Sequence, residues 1–308
     1  MYRVQIVLLV FGVLLLYAPF ADVFRTLFHP SGRGAISDFL ARVLWRMMRS
    51  VGKRNEYLLN MAGPIIFLAI VASWALLIVL AFSLIYMAMI GTFVASQGIN
   101  AAEHRTYYDA FNTSMGALIS LGSGINPSSK WVRLVMDIEA VVGFGLLTAS
   151  VSSLLSIYSV LKQRDAVAQK TSLLHYVHVT TGKSILDMAP GSANAMLADF
   201  VAEMVSLRSS LSQFPVTYYF RAEQKMAAMP GAAFYLRGLA AEGSRSPHPD
   251  IQVPATMLGG AIEDFLKLLA TDHLNLPCDD LNRVLREYAR DQLREPMPYP
   301  STQSRSVE

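Results

Sequence analysis

Ser120, Gly122 and Gly124 stand at alternating positions in the run Ile119-Ser120-Leu121-Gly122-Ser123-Gly124-Ile125-Asn126-Pro127. Glycines so spaced let the backbone take dihedrals closed to other residues, so that successive carbonyls can turn toward a common axis and replace an ion's water shell. Most G-x-G patterns are ordinary turns; the surroundings give this one its weight. Ahead of it, Thr106 to Ile119 has the length of a short helix, free of Pro, with Tyr107, Tyr108 and Phe111 clustered. Behind it, Trp131 opens a long apolar helix expected to end near Leu161. Helix, glycine turn and spanning helix is the layout of a re-entrant pore loop, where non-helical backbone at membrane depth is tolerated because it lines a water-filled path. The chemistry expected of Ser120, Leu121, Gly122, Ser123, Gly124 and Ile125 is therefore ion coordination by backbone oxygen in a selectivity filter.

Other residues could serve that stretch. Asp137 and Glu139 fall close to or within the membrane, where a charged group is costly and marks function by default. For Glu139 the expected role is support behind the filter. For Asp137 the same role stands beside pairing with Lys130 or Arg133 at the outer interface. Gly143 and Gly145 allow either a gating hinge in the last spanning helix or close helix packing. Thr148, Ser150, Ser152, Ser153, Ser156 and Ser159 set hydroxyls along that helix, as a wet pore face or as helix contacts.

The elements that must hold these residues follow from composition. Of 308 residues 53% are apolar and 16% charged, against about 25% charged in a soluble domain. From Tyr57 to Ala102 there is no Asp, Glu, Lys or Arg, a run well beyond the roughly 20 residues that span hydrocarbon. Past Lys162 the charge density becomes that of an aqueous domain. The lone cysteine, Cys278, excludes a disulfide within one chain and suits a cytosolic second half. A net charge of +3 is too small to argue for nucleic acid.

Val4 to Phe20 is a first spanning helix; it could also be read as a signal peptide, but it lacks a multi-Lys/Arg leader and an A-x-A-like site. Between Ala21 and Glu56 the bias toward Arg and Lys places the segment on the cytoplasmic side. Within it, Phe39, Leu40, Val43, Leu44, Met47, Met48 and Val51 recur at helical spacing among Arg42, Arg46, Arg49 and Lys53. That pattern fits a basic amphipathic helix at the inner membrane surface, or one packed on the cytosolic domain. The next helix is expected from Gly63-Pro64 to about Phe93. Beyond Lys170, helical patterns over Ala193–Leu211, Met257–Ala270 and Asp279–Leu293 alternate with breakers at Pro190-Gly191, Pro230-Gly231 and Pro247-His248-Pro249, with a loop expected near Glu242 to Pro254. The reading is an all-α membrane protein: three transmembrane helices with a re-entrant pore helix and filter loop, plus a helical cytosolic C-terminal domain. Its divisions are 1–56, 57–163, 164–294 and a disordered tail at 295–308, whose prolines and serines suit disorder.

Tyr107 to Gln163 resembles the two-helix pore module of the bacterial potassium channel family, whose filter reads T-x-G-Y/F/L-G-D followed by Pro. Ser120 matches the Thr, Gly122 and Gly124 the glycines, and Pro127 the Pro. Arg133, Glu139 and Gly143 to Gly145 match the R…E…G-F-G rhythm of the last helix. The basic segment LFHPSGRG…WRMMR, Ser184 to Asp187 and Phe214 to Arg221 also resemble one bacterial branch of that family. Ser123 replaces the usual aromatic or Leu, and Ile125-Asn126 replace the filter Asp. The resemblance implies a homotetrameric channel for monovalent cations such as potassium, in the bacterial inner membrane, in contact with lipid, with no cofactor beyond the permeant ion. The alternative is a channel-like membrane scaffold or regulatory sensor that does not conduct.

Two motifs are set aside. Thr181-Gly182-Lys183-Ser184 ends like a phosphate-binding loop, but Val177 holds the place of its first glycine and no apolar strand precedes it. His175 and His178 lack further Cys or His for a metal site. No grouping of nucleophile, base and acid stands out, so no enzyme is expected.

Overall fold

The computed structural model describes residues 2–28, 33–52, 56–95, 106–121, 125–127, 129–222, 224 and 228–300. In chain order its main helices are α1 (Tyr2–Val23), α2 (Ala35–Gly52), α3 (Glu56–Asn60), α4 (Ala62–Ala88), α5 (Tyr107–Leu118) and α6 (Lys130–Thr181). There follow α7 (Pro190–Gln213), α8 (Met229–Gly243), α9 (Pro249–Leu269) and α10 (Leu281–Asp291). The strands β1 (Phe93–Ala95) and β2 (Ile125–Pro127) make one short antiparallel ribbon. Three helices are long and apolar enough to cross a membrane: α1 with its continuation to Leu27, α4 and α6. Apart from that ribbon the regular structure of the described residues is helical, as befits an α-helical membrane protein.

The chain forms two compact units, Met1–Met47 with Pro64–Ser156, and Met48–Gly63 with Ile157–Glu308. This division differs from boundaries at 56 and 163. The first spanning helix shares a unit with the next two, and the chain around α3 belongs with the C-terminal half.

In the first unit α1 crosses α4 at Gly12, where a Cβ would come within 2.8 Å of the Ala81 carbonyl. Asp22, buried near the end of α1, accepts hydrogen bonds from the backbone N–H groups of Ile36 (2.8 Å) and Ser37 (3.0 Å) and from the Trp74 indole (2.8 Å). One carboxylate thus satisfies two of the free amides at the start of α2 and ties α1 and α2 to α4. Gly34 is required there, since a Cβ would lie 2.4 Å from an Asp22 oxygen. On α2 the buried residues are Ser37, Ala41 and Trp45, whereas Phe39 and Met47 are exposed.

Three helix boundaries differ from the sequence expectation. α4 ends at Ala88 rather than Phe93, giving way through a turn at Ile90–Thr92 to β1. The last spanning helix does not end near Leu161 but continues to Thr181. No Gly or Pro interrupts that stretch, and the change of charge at Lys162 marks the end of the apolar run, not of the helix. The Pro-Gly pair at Pro230-Gly231 and Pro249 sit in the first turns of α8 and α9, where the missing Pro amide costs nothing. The expected loop between 242 and 254 therefore shrinks to the few residues before Pro249.

In the second unit α7 and α9 pack face to face through Leu197, Phe200, Met204 and Leu207 against Leu258, Ile262, Phe265 and Leu266. Asp291 pairs with Arg49 and accepts from the Tyr218 hydroxyl at 2.6 Å. Burial first, then the Asp291 charge, hold that hydroxyl well above its ordinary pKa. The expectation of disorder does not hold for Glu295–Pro300. The Met297 amide donates to the Gly231 carbonyl (3.4 Å), and Tyr299 packs on His178 and Tyr235, with ring centroids 4.8 and 5.2 Å apart. Apolar and aromatic side chains between the prolines explain this docking; residues 301–308 lie outside the described residues.

Candidate functional site

α5 is fixed at its start by a capping box. The Thr106 hydroxyl accepts from the Asp109 amide, and the Asp109 carboxylate accepts from the Thr106 amide. The Tyr107 hydroxyl meets Ser83 of α4 at 2.9 Å. At its end the helix closes without glycine. Ser120 takes a left-handed φ of 57°, and the Leu121 amide turns back to the Gly116 carbonyl at 2.9 Å. Leu121 is 80% exposed. Gly122, Ser123 and Gly124, the centre of the expected filter, lie outside the described residues. The backbone resumes at β2, where Ile125, Asn126 and Pro127 stand opposite Ala95, Val94 and Phe93.

Behind α5 sits a buried polar joint. Glu139 of α6 has no exposed surface. Its carboxylate receives the Tyr86 hydroxyl of α4 at 2.5 Å and faces the Ser114 hydroxyl of α5, also at 2.5 Å. Ser114 in turn lies 3.1 Å from the Val79 carbonyl of α4. A single side chain therefore links the two long helices to the short one between them, and every polar atom of the joint has a partner. Such closure matters in a dry interior, where an unpaired polar group costs several kcal/mol.

The remaining expected residues divide. Gly143 lies under the end of α5, where a Cβ would come within 2.0 Å of the Leu118 carbonyl oxygen. Gly145 faces open space, and α6 runs through both without a break. Asp137 is exposed and makes no ion pair among the described residues. Glu139 and Gly143 thus converge on α5, while Asp137 and Gly145 do not touch it. The hydroxyls of Thr148, Ser150 and Ser156 donate to carbonyls one turn back in their own helix.

Sequence reasoning passed over Tyr86, Ser114 and the Asp22–Trp74 pair. The available signal was a polar atom at membrane depth: Asp22 ends an apolar helix, and Tyr86 and Ser114 lie one on each side of the segment that joins α4 to α5. Thr181-Gly182-Lys183-Ser184 is a helix end, with Gly182 left-handed at φ 64° and Ser184 capping the following turn. His175 and His178 pack around Tyr235, and no group of three or more His, Cys, Asp or Glu among the described residues is placed to hold a metal.

Fold and site define an integral membrane protein with a short helix held between two long ones. The chain is 26% identical over 223 residues to the uncharacterized membrane protein YdjJ of Bacillus subtilis (strain 168), covering 69% of this chain and 62% of the relative. It thus spans less than two thirds of that protein's length. No family model and no solved structure matches.

Proposed function

We propose that the chain is one subunit of a homotetrameric channel for monovalent cations, with potassium the expected ion, in a bacterial inner membrane. The observation that carries this reading is the Glu139–Ser114–Tyr86 joint. It fixes a short helix that ends in a left-handed turn at the Gly-rich stretch, the support a re-entrant loop needs if its carbonyls are to stay aimed at an ion. One chain carries one such loop, so a closed path requires several copies around an axis. The resemblance of Tyr107 to Gln163 to the bacterial potassium channel family points the same way.

A second reading, a non-conducting membrane scaffold or sensor with a channel-like fold, is favoured by Ser123, Ile125 and Asn126, which depart from the family's filter. Flux of potassium and sodium from liposomes separates the two. The parent is expected to conduct, and Gly122→Ala to lose at least about tenfold in flux with tetramer mass unchanged, because a left-handed or similarly strained backbone costs a non-glycine residue about 1 kcal/mol or more in each subunit. Ser123→Tyr with Ile125→Asp is expected to raise potassium preference. Equal flux from the parent and Gly122→Ala would reduce the stretch to a turn; assembly of all variants with no flux would favour the scaffold.

The charge map supports a topology in which 25–54 and everything after Lys162 are cytoplasmic. Single cysteines introduced at the exposed Ala35 and Ala195, with Cys278 replaced by Ser, are expected to react with an impermeant maleimide only after the membrane is opened. Labelling of one in intact cells would sink this topology.

A further inference from the structure

A cavity of about 660 Å³ lies in the first unit, walled by Tyr17, Phe20 and Phe24 from the end of α1 and its continuation, Ile78 of α4, and Leu146 of α6. Arg25 is the one charged residue that lines it. We propose that this cavity takes an acyl chain of an anionic phospholipid, whose phosphate binds Arg25.

Size and lining select hydrocarbon. The volume is that of a ligand pocket, and an apolar hollow of this kind does not hold ordered water. Gly145 and Ala149 line it too, and a Cβ at Gly145 would meet nothing within 4 Å, so the room extends to the helix backbone. Placement and charge select the headgroup. Arg25 lies in the last turn of the span Arg3–Leu27, at the depth where headgroups begin. It is exposed and makes no ion pair among the described residues. Its planar fork matches a phosphate, and the excess of Arg over acidic residues between 25 and 47 favours an anionic over a zwitterionic lipid. The inference depends on membrane insertion alone and not on conduction.

Native mass spectrometry of the full-length protein, exchanged into phosphatidylglycerol or phosphatidylcholine, tests it. The parent is expected to retain one phosphatidylglycerol per chain, and phosphatidylcholine at least about tenfold more weakly, because the choline ammonium neutralises its phosphate and is repelled by the arginine-rich segment. Arg25→Gln should bring phosphatidylglycerol down to the phosphatidylcholine level. Gly145→Leu and, separately, Ala149→Leu should release both lipids by filling the cavity, with oligomer mass and melting temperature confirming the fold. A photoreactive residue at Tyr17 should attach to lipid. Equal retention of the two lipids by the parent, parent-like retention by both filling variants, or capture of a second copy of the chain at Tyr17 would each overturn the proposal.

Discussion

Glu139→Ala is expected to lower the free energy of unfolding in lipid bicelles by about 2–4 kcal/mol, the cost of an orphaned Tyr86 hydroxyl together with the cavity left by the side chain. Ser114 is the lesser loss, because its hydroxyl still reaches the Val79 carbonyl. Glu139→Gln should cost less than about 1 kcal/mol. Its amide oxygen can accept from Tyr86 and its NH2 can donate to Ser114, so each contact survives in the same volume. Tyr86→Phe should cost about 1 kcal/mol and, combined with Glu139→Ala, add little more, as two changes in one network do. Should Glu139→Gln prove as damaging as Glu139→Ala, charge at this position and not the hydrogen-bonded joint would be what the fold requires. If conduction is present, flux should fall in the same order, because the joint holds α5 and not the ion.

The membrane helices were legible because hydrocarbon imposes length and apolarity, and α4 shows this most plainly: no charge enters from Tyr57 to Ala102. Their ends were less so. Hydropathy reports where lipid stops and not where hydrogen bonding stops, which is why α6 outran the expected Leu161 by five turns or so. Of the site, Glu139 was found because an acid inside an apolar run has few neutral explanations. Its partners were not, since the meeting of Tyr86 and Ser114 on Glu139 is a property of three packed helices and leaves no periodic trace in any one of them. Asp22 escaped for a related reason. Beside Arg25 and Arg33 it looks like one charge among many, and only the approach of Trp74 and the start of α2 shows it to be buried. The tail at Glu295 shows composition misleading outright: its prolines suit disorder, yet the Tyr299 ring finds His178 and Tyr235.

Gly143→Ala is expected to be among the most damaging single-methyl additions to the chain, costing about 3 kcal/mol, while Gly145→Ala two residues on should be neutral or stabilising by up to about 1 kcal/mol. The added carbon at Gly143 would lie 2.0 Å from the Leu118 carbonyl oxygen, which is backbone and cannot rotate away. Either α6 or the end of α5 must move by more than an ångström, an overpacking beyond what a side-chain adjustment absorbs. At Gly145 nothing lies within 4 Å, so only the helix preference for Ala over Gly remains. Stability in bicelles, measured beside liposome flux, separates packing from hinging. A hinge needs the freedom of both glycines and would show as altered opening in both variants, with little change in stability. Packing predicts loss of stability and of flux together at Gly143 alone, since displacing Leu118 displaces Ser120 and Leu121.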